Sequence, residues 1–400
     1  LTTQDFFGWD SVHGKEETPM EFMFGIPSFV QFGPGVAKKA GEVAQGLGAR
    51  KVLFVYDKGV KSAGLADEVL KALHDSNLEV LEFDGVQPNP TDTLVENAAA
   101  MAREFQPDAI VALGGGSSID CAKAINILQT NPSPINQYDG LNTVPNPTRP
   151  LIAIPTTAGT ASEVTAFSIV TDTTRQKKMV IGGQFVGATI ALVDPQMTLG
   201  MPSSITASTG MDALTHAIEA YLSKGAMVPT DVCALRAIEL IYHNLLTATR
   251  NGQDLEARTN MLLGSMMAGF AFNCAVLGLV HSIAHPLSVH CGLPHGVANA
   301  VVLPYVMEYN APAALDRMKD IALAMGQPVS DMAPVEAAKL AIAAVKALSR
   351  ELQIPSLEEL GVPRNIFDRL AEDALLEIST IFNPREPSKQ DVIDILVKAY

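Results

Sequence analysis

Apolar positions in the first half of the chain come as short β-rich runs separated by stretches with helical spacing. Residues 51–56 (KVLFVY) form an apolar β-rich run ending at Asp57, and 64–73 carry apolar side chains three and four apart. A short strand at 80–83, a helical stretch at 91–105 and an apolar strand at 108–113 follow. Strands alternating with helices in this rhythm predict βαβ units and a parallel sheet with helices on its faces. Strand-like runs recur at 151–154, 167–171, 179–181 and 189–193. Beyond position 202 the period changes, and 204–222, 230–246, 255–271 and 334–352 keep the three-and-four spacing of packed helices. Asp-Pro and Met-Pro punctuate 195–202. The expected architecture is an α/β domain with a parallel sheet over 1–200 and an all-α domain over 201–400.

Composition narrows the partners. With 400 residues, 48% of them hydrophobic and 18% charged, the chain has enough apolar surface for more than one core. Its 43 acidic against 28 basic residues give a net charge of −15, a field that opposes nucleic-acid phosphates. Cys121, Cys233, Cys274 and Cys291 match no zinc-knuckle, CxxC or disulfide spacing, as expected in a reducing compartment. Residues 1–15 lack a basic stretch followed by an apolar run, so no secretory signal is expected and the cytoplasm is the expected location. Positions 261–307 hold no Asp, Glu, Lys or Arg, and 261–280 would be long enough for a bilayer span. Asn273, four histidines and the lack of an aromatic belt or basic flank point to helices buried in protein and to no membrane partner.

Candidate chemistry sits at the strand ends and among the histidines. After the strand at 108–113 come Gly114, Gly115, Gly116, Ser117 and Ser118, then Asp120 and a helix. Glycines let a backbone approach a ligand closely, and the free N–H groups opening a helix suit a pyrophosphate. The spacing departs from GxGxxG and the turn follows a later strand, so a purely structural turn is the rival reading. Asp57 ends the first strong strand, where a carboxylate can accept from a ribose and repel a 2′-phosphate, favouring NAD over NADP; it could equally cap a helix. A second turn, 155–160, offers Thr156, Thr157 and Thr160. Asp212 and His216 are four apart, hence on one helix face. His281, His285, His290 and His295 are half of the eight histidines and fall inside the charge-free segment. Several buried imidazoles need partners, and a divalent cation with an anionic Asp supplies one. Spacing lets His281 and His285 face together but does not choose among the four.

The ordered set PNP at 88–90, GGGSSID at 114–120, IPTTAGTASEVT at 154–165, GMDALTHAIEAY at 210–221, GLVHSIAHPL at 278–287, LPHGVANA at 293–300 and NPR at 383–385 resembles the iron-containing (group III) alcohol dehydrogenases. The resemblance runs from about Phe22 to the C-terminus and leaves 1–21 as an N-terminal extension. It implies a dinucleotide-binding α/β domain, a helical metal-binding domain and a cleft between them. It assigns the metal to Asp212, His216, His281 and His295, and puts His285 near cofactor and substrate as the catalytic histidine. For NAD it implies Asp57, Asn89, Gly114, Gly115, Gly116, Ser117, Asp120, Thr156, Thr157, Thr160 and Lys178. For the substrate pocket it implies Phe167, Phe272 and Leu277. Family habit makes the metal Fe(II), with Zn(II) the alternative that the donor types also suit, and the assembly a homodimer or larger.

The implied activity is NAD(P)-linked interconversion of small alcohols and aldehydes. A Lewis-acidic metal would activate the alcohol, nicotinamide would accept hydride, and His285 would pass the proton towards solvent. Without Arg or Lys in 261–307, this segment offers no fork for an anionic substrate, which favours neutral primary alcohols, diols or aldehydes. A glycerol-dehydrogenase-like polyol oxidoreductase and a hydroxyacid–oxoacid transhydrogenase are the rival readings.

Overall fold

Continuous apolar runs become the centre of a parallel sheet because strands covered on both faces have no polar side. The computed structural model describes residues 22–400, so the expectations for 1–21 fall outside the described residues. Six strands form one parallel sheet: β1 (Phe29–Phe32), β2 (Lys51–Asp57), β3 (Glu79–Val86), β4 (Ala109–Gly114), β6 (Leu151–Pro155) and β9 (Ile190–Val193). Their order is β1-β9-β6-β4-β2-β3. Alternation along β2 sends Leu53 and Val55 to one face, packed on helices α4 (Asp92–Phe105) and α5 (Gly116–Thr130). Val52, Phe54 and Tyr56 face the other way, towards α1 (Ala40–Gly46), α2 (Lys58–Ser62) and α3 (Leu65–Asp75).

Two of the expected strands do not join this sheet. The runs at 167–171 and 179–181 become β7 (Phe167–Asp172) and β8 (Lys177–Gly182), an antiparallel pair that forms a second sheet with β5 (Gly140–Leu141), in the order β5-β8-β7. Side chains of β7 alternate between half-buried and buried and β8 is unevenly covered, unlike the fully buried β4 and β6. That mixed burial suits a small sheet on the flank, which carries Phe167 and Lys178 towards the cleft. β1 escapes a reading by pattern because FVQF is short and lies on the edge.

The last strand ends at Val193 and the first long helix begins at Ser203. The helical half comprises α6 (Ser203–Leu222), α7 (Val228–Arg250), α8 (Leu255–Ala275), α9 (Leu279–Cys291), α10 (His295–Asn310), α11 (Leu315–Ala324), α12 (Pro334–Glu351), α13 (Phe367–Leu376), α14 (Ser379–Phe382) and α15 (Lys389–Ala399). Among the described residues no single helix is long and apolar enough to cross a membrane. The apolar segment instead supplies α8 and α9, which meet at 102° and pack in the core of the helical half. The fold is therefore a parallel-sheet α/β unit followed by an all-helical one.

Two buried cations tie loops to this frame. Lys123 on α5 donates to the carbonyls of Ser162 at 2.7 Å, Thr165 at 3.0 Å and Phe167 at 2.6 Å. Arg258 on α8 donates to Gly252 O, Thr206 Oγ1 and Met201 O, fixing the entry to α6. Such multiply bonded cations are tolerated in a core because each nitrogen has at least one acceptor.

Candidate active site

In open parallel sheets the ligand crevice lies at the carboxyl ends of the strands, where the chain direction of the order reverses. Here that point is between β2 and β4: the chain goes outward from β2 to β3, then returns past β2 to β4. Asp57 ends β2, Gly114 ends β4, and the turn after β6 lies alongside, with Thr156 N–H donating to Gly114 O at 3.0 Å.

The N-terminus of α5 has no side-chain cap, which leaves its opening amides for an anion. Gly116 has no room for a side chain: a Cβ there would stand 2.7 Å from Thr160 Cγ2 and 2.8 Å from its Oγ1. Glycine thus lets the helix start and the threonine turn close on each other. Asp57 Oδ1 accepts from Val60 N–H at 3.0 Å as the cap of α2, and Oδ2 accepts from Ser118 Oγ at 3.0 Å. Asp120 is tied to Ser162 Oγ, accepts from Ile169 N–H at 3.2 Å and stands 3.8 Å from Lys123. Burial pushes its carboxyl up from the usual carboxylate range.

A cleft of about 730 Å³ runs from this turn to the histidines. Of the residues expected to hold cofactor, Asn89, Gly116, Ser117, Asp120, Thr160 and Lys178 line it. Asp57, Gly114, Gly115, Thr156 and Thr157 are not on its lining and instead shape the turn. Phe167, Phe272 and Leu277 line it as well, as do His216, His281, His285 and His295.

Asp212 and His216 project from α6, His281 and His285 from α9, and His295 opens α10. Donor atoms of Asp212, His216 and His281 all lie within 4.8 Å of one another, and all three residues are buried. His295 Nε2 and His281 Nε2 each stand 3.9 Å from Asp212 Oδ1. His216 stacks on His281 with ring centroids 4.6 Å apart, and on Phe272 at 4.4 Å. Burial, with His216 next in effect for His281 and Lys178 for His295, drives both imidazoles well below their usual pKa, so both are neutral. Neutral imidazoles with lone pairs turned inward beside a carboxylate suit a divalent cation.

Hydrogen bonds on the far side of the rings set that orientation. His216 Nδ1 donates to Gly159 O at 3.2 Å, and His281 Nδ1 donates to Glu219 Oε2 at 2.6 Å, leaving each Nε2 for the site. Asn299 Nδ2 lies 2.6 Å from Asp212 Oδ1, 3.1 Å from His281 Nε2 and 3.2 Å from His295 Nε2. One amide has two protons for these three acceptors, and its Oδ1 and His295 Nδ1 are buried without a hydrogen-bond partner among the described residues. Such a donor-poor cluster fits a cation at its centre.

His285 and His290 turn elsewhere. His285 Nδ1 donates to Glu377 Oε2 at 3.0 Å, while His290 Nε2 pairs with Asp373 Oδ2 at 2.6 Å. Glu219, Asn299 and Glu377 were not singled out from the sequence, although Glu219 lies within GMDALTHAIEAY, three positions after His216 and seven after Asp212. An acid on the apolar face shared by those two was the available signal. Lys178 also enters the cleft from β8, and burial pulls it down to about 8 against Asp212, Asp120 and Glu377. The cleft is therefore less free of cations than 261–307 alone suggested.

Residues 27–195 match the family described as iron-containing alcohol dehydrogenase, and 206–400 match the C-terminal part of the Fe-containing alcohol dehydrogenase family. The chain is 44% identical to a 1,3-propanediol dehydrogenase of Klebsiella pneumoniae, over 95% of this chain and 99% of the relative. It is 41% identical to an NAD-dependent methanol dehydrogenase of Bacillus methanolicus, over 94% and 99%. A crystal structure of a 1,3-propanediol oxidoreductase superposes with a TM-score of 0.92 at 43% identity, covering 95% of this chain and 100% of that one. The chain belongs to the iron-containing alcohol dehydrogenase family.

Proposed function

We propose that this protein interconverts small neutral primary alcohols or diols and their aldehydes with NAD, using a divalent metal, iron by family habit, held by Asp212, His216, His281 and His295. The observation that carries the reading is the convergence of one carboxylate and three imidazoles beside a cleft that an uncapped helix start also lines. When bound, the metal supplies Lewis-acid polarisation of an oxygen and the nicotinamide supplies a hydride acceptor.

The chain's own residues do the rest. Gly116 and Ser117 give the cofactor phosphates a backbone approach, with Asn89, Asp120, Thr160 and Lys178 around them, while Gly114, Gly115, Thr156 and Thr157 shape the turn behind. The Asp57 carboxylate favours NAD over NADP by charge. Glu377 accepts from His285 Nδ1 and so leaves the other ring nitrogen to take the alcohol proton. Phe167, Phe272 and Leu277 exclude water beside the donor set. Cys121, Cys233, Cys274 and Cys291 are free thiols, which supports a reducing compartment, the cytoplasm. Division into two domains near position 200 and assembly as a homodimer or larger complete the reading.

The test is NADH absorbance with metal-free protein and with protein reconstituted with Fe(II) or Zn(II), offered 1,3-propanediol, butanal, lactaldehyde and glycerol. Metal-dependent turnover of the diol and the aldehydes is expected. Turnover confined to a hydroxyacid–oxoacid pair without free NAD would replace this reading with a transhydrogenase, and no turnover under any condition would remove it.

A further inference from the structure

The three residues between α8 and α9 are held at both ends. On one side Ala275 O accepts from Ser223 Oγ, and Val276 N–H donates to Phe272 O at 2.9 Å, closing α8. On the other, Leu279 N–H donates to Asn383 Oδ1 at 3.2 Å and Val280 N–H to Glu219 Oε1 at 2.6 Å, opening α9. Between them Gly278 is wedged, since a Cβ would stand 3.0 Å from Asn383 Oδ1 and 3.1 Å from Glu219 Oε1. With its ends fixed and the helices at 102°, the linker places Val276 at φ 63°, ψ −179°.

That conformation is open to glycine and strained for a β-branched side chain. Strain in a linker is usually compensated by packing, but Val276 is half-buried and, unlike Leu277, is not among the apolar residues packed on the helical core. Val276 is among the residues that line the cleft, with Phe272, Leu277 and His281. A glycine would make the turn without strain, so the isopropyl group has to be accounted for by what it does in the cleft.

We infer that Val276 is a size-selecting wall of the alcohol pocket, kept at a positive φ so that its side chain narrows the space beside His281. The inference rests on the dehydrogenase reading above and adds to it the class of alcohol admitted: unbranched chains in preference to those branched next to the carbinol carbon. One methyl-sized difference in an apolar pocket changes kcat/KM by roughly 10-fold or more.

The experiment compares the metal-loaded parent with Val276→Gly and Val276→Ala, measuring kcat/KM for propan-1-ol and 2-methylpropan-1-ol, and the melting temperature of each metal-free protein. The branched-to-linear ratio is expected to rise by roughly 10-fold in Val276→Gly and by less in Val276→Ala. Val276→Gly is expected to melt no lower than the parent and above Val276→Ala, because glycine alone sheds the strain. Ratios within about twofold of an active parent in both variants overturn this inference alone. A glycine variant melting below the alanine variant also overturns it, since the residue would not then be strained. A parent that turns over no alcohol overturns the dehydrogenase reading and this inference with it.

Discussion

Glu219 sets the ring of His281, and the consequence can be put in numbers. Its Oε2 accepts from His281 Nδ1 at 2.6 Å and its Oε1 from Val280 N–H at 2.6 Å, with the carboxylate 4% exposed. Burial pushes this carboxyl up to about 7, and the backbone N–H groups of Val280 and Gly278 pull against it. In Glu219→Gln one of the two acceptors becomes an NH2 group. If the amide oxygen stays on Val280, the NH2 meets His281 Nδ1, and the ring must carry its proton on Nε2, the atom that faces Asp212. An Nε2–H cannot ligate a metal. If the amide turns round, a buried N–H of α9 is left facing a donor, at a cost of about 1–3 kcal/mol. Either way metal affinity is expected to fall 10- to 100-fold, about 1.4–2.7 kcal/mol. The assay is competition for Zn(II) against a chromophoric chelator, with circular dichroism to confirm that the metal-free variant is folded. A folded Glu219→Gln protein that binds Zn(II) as tightly as the parent refutes the argument.

Two further outcomes are expected. Asp57→Asn removes the charge at the end of β2 while keeping an N-cap of equal quality, so kcat/KM with NADP relative to NAD is expected to rise by about 10-fold or more at little change in melting temperature; an unmoved ratio means that Asp57 does not read the ribose. Glu163 is 1% exposed with Oε1 unpartnered among the described residues, and burial pushes it up to about 7. The folded chain then keeps a proton that the unfolded chain has released, so stability is full below the ordinary carboxylate pKa of about 4.3 and declines as pH rises towards 7. Glu163→Gln cannot ionise, and melting scans at pH 5 and pH 8 should show the variant gaining on the parent at the higher pH; a pH-independent difference refutes the assignment.

What could be read from sequence and what could not follows from how far apart the partners lie. Asp212 and His216 share a helix face at a spacing that any helical stretch makes legible, and the glycine turn after β4 announces itself by composition. The choice among four histidines did not, because the acids that engage two of them come from remote segments. Glu377 is 92 positions from His285, and Asp373 is 83 from His290. The same blindness affected charge: a segment without lysine said nothing of Lys178, which only the family resemblance named and which arrives on a strand of the flanking sheet. Asp57 was legible as both a ribose acceptor and a helix cap, and its oxygens are engaged by Val60 and Ser118 within the fold. The separation of β7 and β8 from the main sheet was illegible because apolar strands look alike until their neighbours are known.

The opening of α9 hangs on Asn383, which reaches Leu279 across 104 positions and is itself held by Asn310. During synthesis every candidate metal donor, from Asp212 to His295, leaves the ribosome well before this asparagine does. The nascent chain therefore passes through a stage in which every candidate donor is present while α9 still lacks one of its anchors.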